Sequence, residues 1–90
     1  MARFHFGSQM ARLVECSSAE SDAHDLRAAF DDIFAERPRL RGYVLDEQGH
    51  LRQHVAVFVD GQLVEDRERM DVVLSPQSEV YVLPALSGGK

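Results

Sequence analysis

Only one stretch of this chain has the spacing of an amphipathic helix, and that limits the fold more than any other feature. Its apolar residues recur three and four positions apart, on one face of a helix; they are Leu26, Phe30, Ile33 and Phe34. The predicted helix begins near Ala23 and ends before Pro38, because the residue that precedes a proline disfavours helical backbone angles. One helix can cover only one face of a sheet, so the sequence predicts a two-layer α+β domain with an open sheet face.

The segments on either side of this helix are predicted from their alternation and their turn residues. Residues 2–6 alternate apolar and polar, which is typical of a half-buried strand, and residues 12–16 are interpreted as a second strand that closes a hairpin. The polar run 17–22 is expected to cap the helix. After the helix, residues 39–42 are interpreted as a connection and residues 43–45 as a short strand or extended turn.

The second half of the chain contains the most strand-like sequences. Residues 54–59 predict a strand, and Asp60-Gly61 directly after it is a strong signal for a tight turn. Residues 62–64 then return as a short antiparallel partner. The last predicted strand is Val80 to Leu83.

Alternation within these strands separates the side chains of the core from those of the open face. The residues predicted to point inward are Val55, Val57, Val59, Val80 and Val82. Phe58, Tyr81 and Leu83 are predicted to point outward. Exposed apolar patches on small domains usually mark protein interfaces, which aromatic residues often anchor. We therefore predict a partner interface at these three residues, with coverage by a loop or tail of the same chain as the alternative.

The end of the chain changes character after the last strand. Pro84 lacks the N–H that a sheet ladder requires, so we expect one domain over residues 1–84 and a flexible tail over 85–90. Gly88 and Gly89 have no Cβ, and an extended chain of glycines can pass through a groove too narrow for side chains. Such a tail suits insertion into the active site of another protein. A frayed terminus without a function is the alternative.

Composition excludes several classes of function. A net charge of −5 argues against nucleic acid or an anionic membrane as the partner. Cys16 is the only cysteine, so the chain cannot form an internal disulfide, and the four histidines, His5, His24, His50 and His54, lack metal-ligand spacing. The first residues do not resemble a signal peptide, and no run approaches the roughly 20 apolar residues of a membrane span. We expect a cytoplasmic protein without a bound cofactor.

Two segments carry a resemblance to a known family. They are HVAVFVDG at 54–61 and SEVYVLPALSGG at 78–89, with weaker support from residues 26–54. Together they resemble the MoaD/ThiS family of sulfur carrier proteins, which have the ubiquitin-like β-grasp fold. The resemblance implies a mixed sheet of four to five strands with one main helix packed on one face.

The resemblance further implies a carrier protein and not an enzyme. In this family the terminal glycine, matched here by Gly89, is adenylated by an enzyme of the ubiquitin-activating type that uses ATP. Its carboxylate then becomes a thiocarboxylate and donates sulfur to a synthase, such as the large subunit of molybdopterin synthase. Leu86, Ser87 and Gly88 match the part of the tail that enters these partners. The pathway that receives the sulfur (molybdopterin, thiazole, cysteine or a secondary metabolite) stays open.

Lys90 departs from the family pattern, in which the chain usually ends at Gly-Gly. While Lys90 is attached, Gly89 has an amide in place of a carboxylate and cannot be adenylated. Lys90 has three explanations. A processing metalloprotease removes it, it is a remnant of an expression vector, or the protein has lost the carrier function. Two other functions stay open: a ubiquitin-like modifier that joins target lysines through Gly89, and a non-covalent interaction domain.

Overall fold

The computed structural model describes residues 1–7 and 18–84. Within these ranges the chain forms five strands and two helices, in the order β1 (Ala2–Phe6), β2 (Ser18–Ser21), α1 (Leu26–Glu36), α2 (Pro38–Val44), β3 (Val55–Val59), β4 (Gln62–Leu63) and β5 (Glu79–Pro84). The strands form one mixed sheet in the order β2-β1-β5-β3-β4. The central pair, β1 and β5, is parallel, and the other three pairs are antiparallel. None of the described helices is long and apolar enough to cross a membrane.

The core lies between the helices and one face of the sheet. Strands β1, β3 and β5 bury every second side chain, and the inward set is the predicted one in β3 and β5. The α1 stripe faces these strands: the Phe30 ring lies 5.4 Å from the Phe4 ring and 5.1 Å from the Phe34 ring, measured between centroids. Phe4 and Phe30 are fully buried. The predicted two-layer α+β arrangement is therefore confirmed.

The strand that pairs with β1 differs from the prediction. The predicted strand at 12–16 lies outside the described residues. The run at 17–22 was expected to cap the helix, but residues 18–21 of it form β2, an edge strand antiparallel to β1. Ala19 and Ser21 are its inward residues, and the Ser21 hydroxyl donates a hydrogen bond to the Asp32 carboxylate at 2.9 Å. Because that bond satisfies the buried hydroxyl, a strand with little hydrophobic character can pair at this edge.

Helix α1 begins later than predicted and ends where predicted. Asp25 is its N-cap, since the Asp25 carboxylate accepts a hydrogen bond of 2.7 Å from the backbone N–H of Ala28. The helix ends at Glu36, before Pro38. Pro38 does not lead into a loop, however; it occupies the first turn of α2, where a missing N–H costs nothing.

Two expectations for residues 39–45 are therefore wrong. The predicted connection and most of the predicted short strand belong to α2, which spans Pro38–Val44. Leu40 and Val44 lie one turn apart and are both fully buried, so packing of this short face against the core stabilises the helix. Only Leu45 has strand-like pairing, as a single bridge to Leu51.

The β3–β4 hairpin has the predicted turn. Asp60 and Gly61 both have positive φ angles, 50° and 86°, which is the backbone geometry of the turn that Asp-Gly favours. Val59 pairs with Gln62 and Phe58 with Leu63 across it. The turn therefore fixes which residues of β4 lie beside Phe58.

Candidate partner-docking face

The sheet face opposite the helices carries an apolar surface across four strands. Phe58 lies directly opposite Tyr81 on one side and Leu63 on the other, and Ala56 lies opposite Leu83. Opposed residues in neighbouring strands have side chains on the same face of the sheet. We define the open face as His5, Ala56, Phe58, Leu63, Tyr81 and Leu83. The structure thus brings together the three residues that the sequence predicts for a partner interface.

These side chains differ in how much water reaches them. Leu63 and Tyr81 are exposed at 51% and 43% of their surface, whereas Phe58 and Leu83 are half-buried. Phe58 lies between Tyr81 and Leu63 in the register of the sheet, with a neighbouring strand on each side. An apolar patch with partial exposure can bury additional area against a partner without unfolding any element.

On the side away from Phe58, Tyr81 contacts His5, which is itself paired with Glu79. The His5 ring stacks on the Tyr81 ring with centroids 4.7 Å apart and planes at 20°. The His5 Nε2 atom lies 2.6 Å from the Glu79 carboxylate, close enough for a hydrogen bond or, when the imidazole is protonated, an ion pair. In the sequence His5 is only one of four scattered histidines. Its contacts depend on the parallel pairing of β1 with β5, which no local pattern shows.

Leu63 is the large apolar side chain of the open face that the predicted interface does not include. A usable signal was present, because a two-residue turn at Asp60-Gly61 places Leu63 opposite Phe58. Leu63 also borders an open groove of about 760 Å³ beside β4. Val72 and Val73 line the same groove, and Val73 is exposed at 81%. The groove is therefore a separate partly apolar feature, beside the open face at the β4 edge of the sheet.

The described chain ends next to the open face. Pro84 is the last described residue, and it pairs with Val55 of β3. It directly follows Leu83, which belongs to the open face. On its other side the Gly7 N–H donates to the Val82 carbonyl at 2.9 Å, and a Cβ on Gly7 would lie 3.1 Å from Pro84 Cδ. Glycine at position 7 therefore allows the close approach of the proline ring. The predicted tail residues, Leu86, Ser87, Gly88, Gly89 and Lys90, lie outside the described residues, as does Cys16.

The titrating groups with shifted pKa values belong to turns. Hydrogen bonds from backbone amides, first that of His50, lower the pKa of Asp46, and a hydrogen bond from the Arg69 amide is the main cause that lowers the pKa of Asp66. Within residues 1–7 and 18–84, no group of three His, Cys, Asp or Glu side chains is arranged to hold a metal ion. The open face is therefore the candidate functional surface of the described residues.

A comparison with protein families matches almost the whole chain. The model of the ThiS family matches residues 9–89. No curated protein matches the sequence significantly.

Solved structures with the same fold come from archaea and bacteria. SAMP1 of Haloferax volcanii has a TM-score of 0.80 at 19% identity, with 98% of each chain covered. CysO of Mycobacterium tuberculosis has a TM-score of 0.81 at 17% identity, covering 96% of this chain and 100% of that one. A chain of the BexX/CysO complex of Amycolatopsis orientalis has 0.81 at 16%, with coverages of 99% and 100%. These matches confirm the predicted ubiquitin-like β-grasp fold.

Proposed function

The chain belongs to the ThiS family of ubiquitin-like sulfur carriers, and from this premise we propose that it transfers sulfur as a thiocarboxylate on Gly89. The observation that carries the proposal is the extent of the family match, which runs through Gly89 and stops before Lys90. Removal of Lys90 by hydrolysis of the Gly89–Lys90 amide gives the carboxylate that the chemistry requires.

Two steps convert this carboxylate into a sulfur donor. The Gly89 carboxylate attacks the α-phosphorus of ATP in a partner enzyme, and pyrophosphate leaves, which forms an acyl adenylate. Hydrosulfide then attacks the acyl carbon; the bond from that carbon to the AMP oxygen breaks, and the products are the thiocarboxylate and AMP. The partner supplies the ATP site and excludes water from the adenylate, so the carrier itself needs no cofactor.

The open face supports this proposal as the docking surface for the partner. Phe58, Tyr81 and Leu83 would contact the adenylating enzyme while the tail, starting beyond Pro84, enters the enzyme's active site. Leu86 and Ser87 would line the entrance, and Gly88 would allow the narrowest passage. Because Pro84, the last described residue, follows Leu83 of the open face, one docking event would position both the face and the tail.

Three partners follow from the proposed chemistry. The first is an adenylating enzyme of the ubiquitin-activating type. The second is a sulfur-accepting synthase, for which the large subunit of molybdopterin synthase is the most familiar example. The third is a processing protease, such as a metalloprotease, which would remove Lys90 where that residue is native.

Intact-mass measurement tests the proposal most directly. A 1–89 chain and the 1–90 chain are incubated with the adenylating enzyme of the same genome, ATP and a sulfide source. Replacement of one oxygen by sulfur is expected in the 1–89 chain alone, and Gly89→Ala in that chain should abolish it without loss of the fold. Sulfur incorporation that ignores this substitution, or none in the 1–89 chain despite demonstrated binding to the enzyme, would overturn the proposal.

A modifier function is the second candidate, because the structural matches include small archaeal modifier protein 1 of two archaea, H. volcanii and Methanosarcina acetivorans. The same adenylated Gly89 would then react with the ε-amine of a target lysine and release AMP, forming an isopeptide bond. Peptide mass spectrometry on cells that express the 1–89 chain separates the two functions. Target lysines that carry residues 70–89 of this chain after tryptic cleavage at Arg69, dependent on Gly89, would support the modifier; thiocarboxylate without conjugates would support the carrier.

A further inference from the structure

We propose that a second surface of this protein, on the helical layer, binds an acidic segment of a partner protein. It is formed by Arg27 of α1, Arg41 of α2 and Arg52, which follows the 46–50 turn; we refer to these three residues as the arginine cluster. The helices pack on one face of the sheet and the open face is the other. A partner at the arginine cluster therefore leaves the open face available, and the inference does not depend on sulfur transfer.

Gly49 is the point on which two of the arginines converge. A Cβ built on Gly49 would lie 3.1 Å from Arg27 Nη1 and 3.9 Å from Arg41 Nη2. Gly49 is buried and has a φ of 82°, so a side chain at this position is disfavoured on both grounds. Two positive groups from different helices therefore share one small space above a glycine backbone.

The turn that presents Gly49 is held by several hydrogen bonds. The Asp46 N–H donates to the His50 carbonyl at 2.8 Å, and the Gly49 N–H donates to the Asp46 carbonyl at 3.0 Å. The Asp46 carboxylate accepts from the backbone N–H groups of Gln48 and His50 at 2.8 and 3.0 Å. The floor of the site is therefore formed before any ligand arrives.

Backbone carbonyls orient two of the three guanidinium groups. Arg27 Nη2 donates to the Glu68 carbonyl, which leaves Nη1 directed at Gly49. Arg52 Nε donates to the Gly42 carbonyl of α2 at 2.8 Å, beside Arg41 in the sequence. Both groups keep N–H donors for another acceptor, because a guanidinium has five.

The arginine cluster lacks the carboxylate partners that such a group ordinarily has. Among residues 1–7 and 18–84, no carboxylate oxygen lies within 4.0 Å of a guanidinium nitrogen of Arg27, Arg41 or Arg52. Asp46 and Glu68 belong to the adjacent turns, yet neither forms an ion pair with the cluster. In a chain with a net charge of −5, Arg27 and Arg41 thus have no acidic partner in the described part, and Arg52 has only the more distant charge of Asp46. An incoming anion would relieve their mutual repulsion.

A run of carboxylates is the ligand chemistry that fits best. The planar fork of a guanidinium binds a carboxylate through two parallel hydrogen bonds, and this geometry favours Arg over Lys at carboxylate sites. The cluster extends over two helices and a following segment, so several carboxylates spaced along an extended peptide can each reach an arginine. A single phosphate could occupy only the space above Gly49.

NMR titration of the ¹⁵N-labelled 1–90 chain with an octaglutamate peptide tests the inference. The Gly49 amide and the Arg27, Arg41 and Arg52 side-chain Nε–H signals are expected to shift together, and the affinity should fall as salt is added. An octaglutamine peptide at the same ionic strength is the neutral control. Absence of shifts at Gly49 and at these side chains would overturn the inference, as would equal shifts with octaglutamine.

Arg41→Gln is the decisive variant, because in the described part of the chain its guanidinium has no hydrogen-bond partner and the fold does not depend on it. It should weaken octaglutamate binding about tenfold.

Arg39→Gln is the matched control. It removes the same charge from the same helix, two positions away and so on another side of it, and should weaken binding less than about twofold. Equal losses in both variants would show non-specific attraction. Saturation of the same signals by inorganic phosphate at lower concentration would assign a small-oxyanion site instead; either result overturns the inference.

Discussion

Asp46 shows how one exposed side chain can organise a turn. Its carboxylate accepts two backbone N–H groups, those of Gln48 and His50, and the second is the main cause that lowers its pKa below the ordinary value of 3.8. Asp66 plays the same part for the amides of Glu68 and Arg69. In both turns a charged acceptor replaces the backbone partners that a helix or a strand would supply.

Replacing Asp46 by Asn should destabilise the protein in a pH-dependent way. A carboxyl whose pKa is lowered by folding stabilises the folded state above its unfolded pKa and loses that contribution as the pH falls through the lowered value. The melting temperature of Asp46→Asn should therefore lie below that of the wild type at pH 7, and the gap should shrink as the pH falls below 3.8. Asp31→Asn, an exposed change on α1, is the control. A gap that stays constant down to pH 2 would show that the charge of Asp46 is not the cause.

Two glycines with free space around them should respond to alanine in opposite directions. A Cβ at Gly42 or at Gly61 meets no described atom within 4 Å, so packing is not changed at either position. Gly42 lies inside α2, where alanine should stabilise by about 0.5–1 kcal/mol. Gly61 has a φ of 86°, and alanine there should cost about 1–2 kcal/mol. Urea denaturation of both variants measures the two shifts; the same sign for both would contradict the backbone explanation.

At the scale of elements, α1 depends on its aromatic stripe more than on its intrinsic helix propensity. Phe30 is fully buried between Phe4 and Phe34. Truncation to Phe30→Ala should cost about 3–5 kcal/mol, through lost transfer free energy and the cavity that remains. This is a large part of the stability of a small domain, so the urea midpoint should fall steeply. Ala28→Gly on the exposed side of α1 is the control, expected to cost about 1 kcal/mol. A comparable loss in both variants would mean that the stripe is not what holds α1.

The elements that could be predicted from the sequence are those with a repeated local signal. A pattern of no more than about ten residues predicts each of three elements. They are α1 with its four-residue stripe, β3 with its valines and the Asp60-Gly61 turn. By contrast, α2 offers only Leu40 and Val44 as a buried pair, and its Pro38 and Gly42 are residues that usually interrupt helices. Its formation depends on a core assembled by distant segments.

Strand β2 was missed for a related reason. Ser18–Ser21 is polar and has the residues that favour helix caps, so local chemistry points away from a strand. Its pairing with β1 supplies the backbone hydrogen bonds, and Asp32 of α1 supplies the partner for Ser21. Both stabilising contacts come from outside the segment, where no pattern within it could indicate them.

At the scale of the whole molecule, only part of the candidate site can be predicted from the alternation of residues within strands. The rest depends on which strands are neighbours in the sheet. Period-two alternation assigned Phe58, Tyr81 and Leu83 to the outer face, as the structure has them. The contact of His5 with Tyr81 requires the first and last strands to be neighbours, across 76 positions of sequence. Tertiary pairing of this kind sets which residues share a surface, while the local pattern sets only which side of a strand each residue occupies.

The predicted role of the open face leads to a test that separates docking from folding. Phe58→Asp places a charge between Tyr81 and Leu63 but removes only a half-buried ring. Binding to the adenylating enzyme should weaken about tenfold or more, because aromatic residues near the centre of an interface contribute most of its energy. The melting temperature should fall far less than that of Phe30→Ala.

Val73→Asp is the matched control for this variant. Val73 is exposed at 81% and is also an apolar residue replaced by a charge, but it lies outside the open face. Its effect on binding should be small, since the docked tail and the open face do not include it. Equal weakening by Phe58→Asp and Val73→Asp would mean that the enzyme responds to the net charge of the carrier. If Phe58→Asp left binding unchanged, the docking surface would not include β3. The groove beside β4, which Val73 lines, would then be the surface to test next.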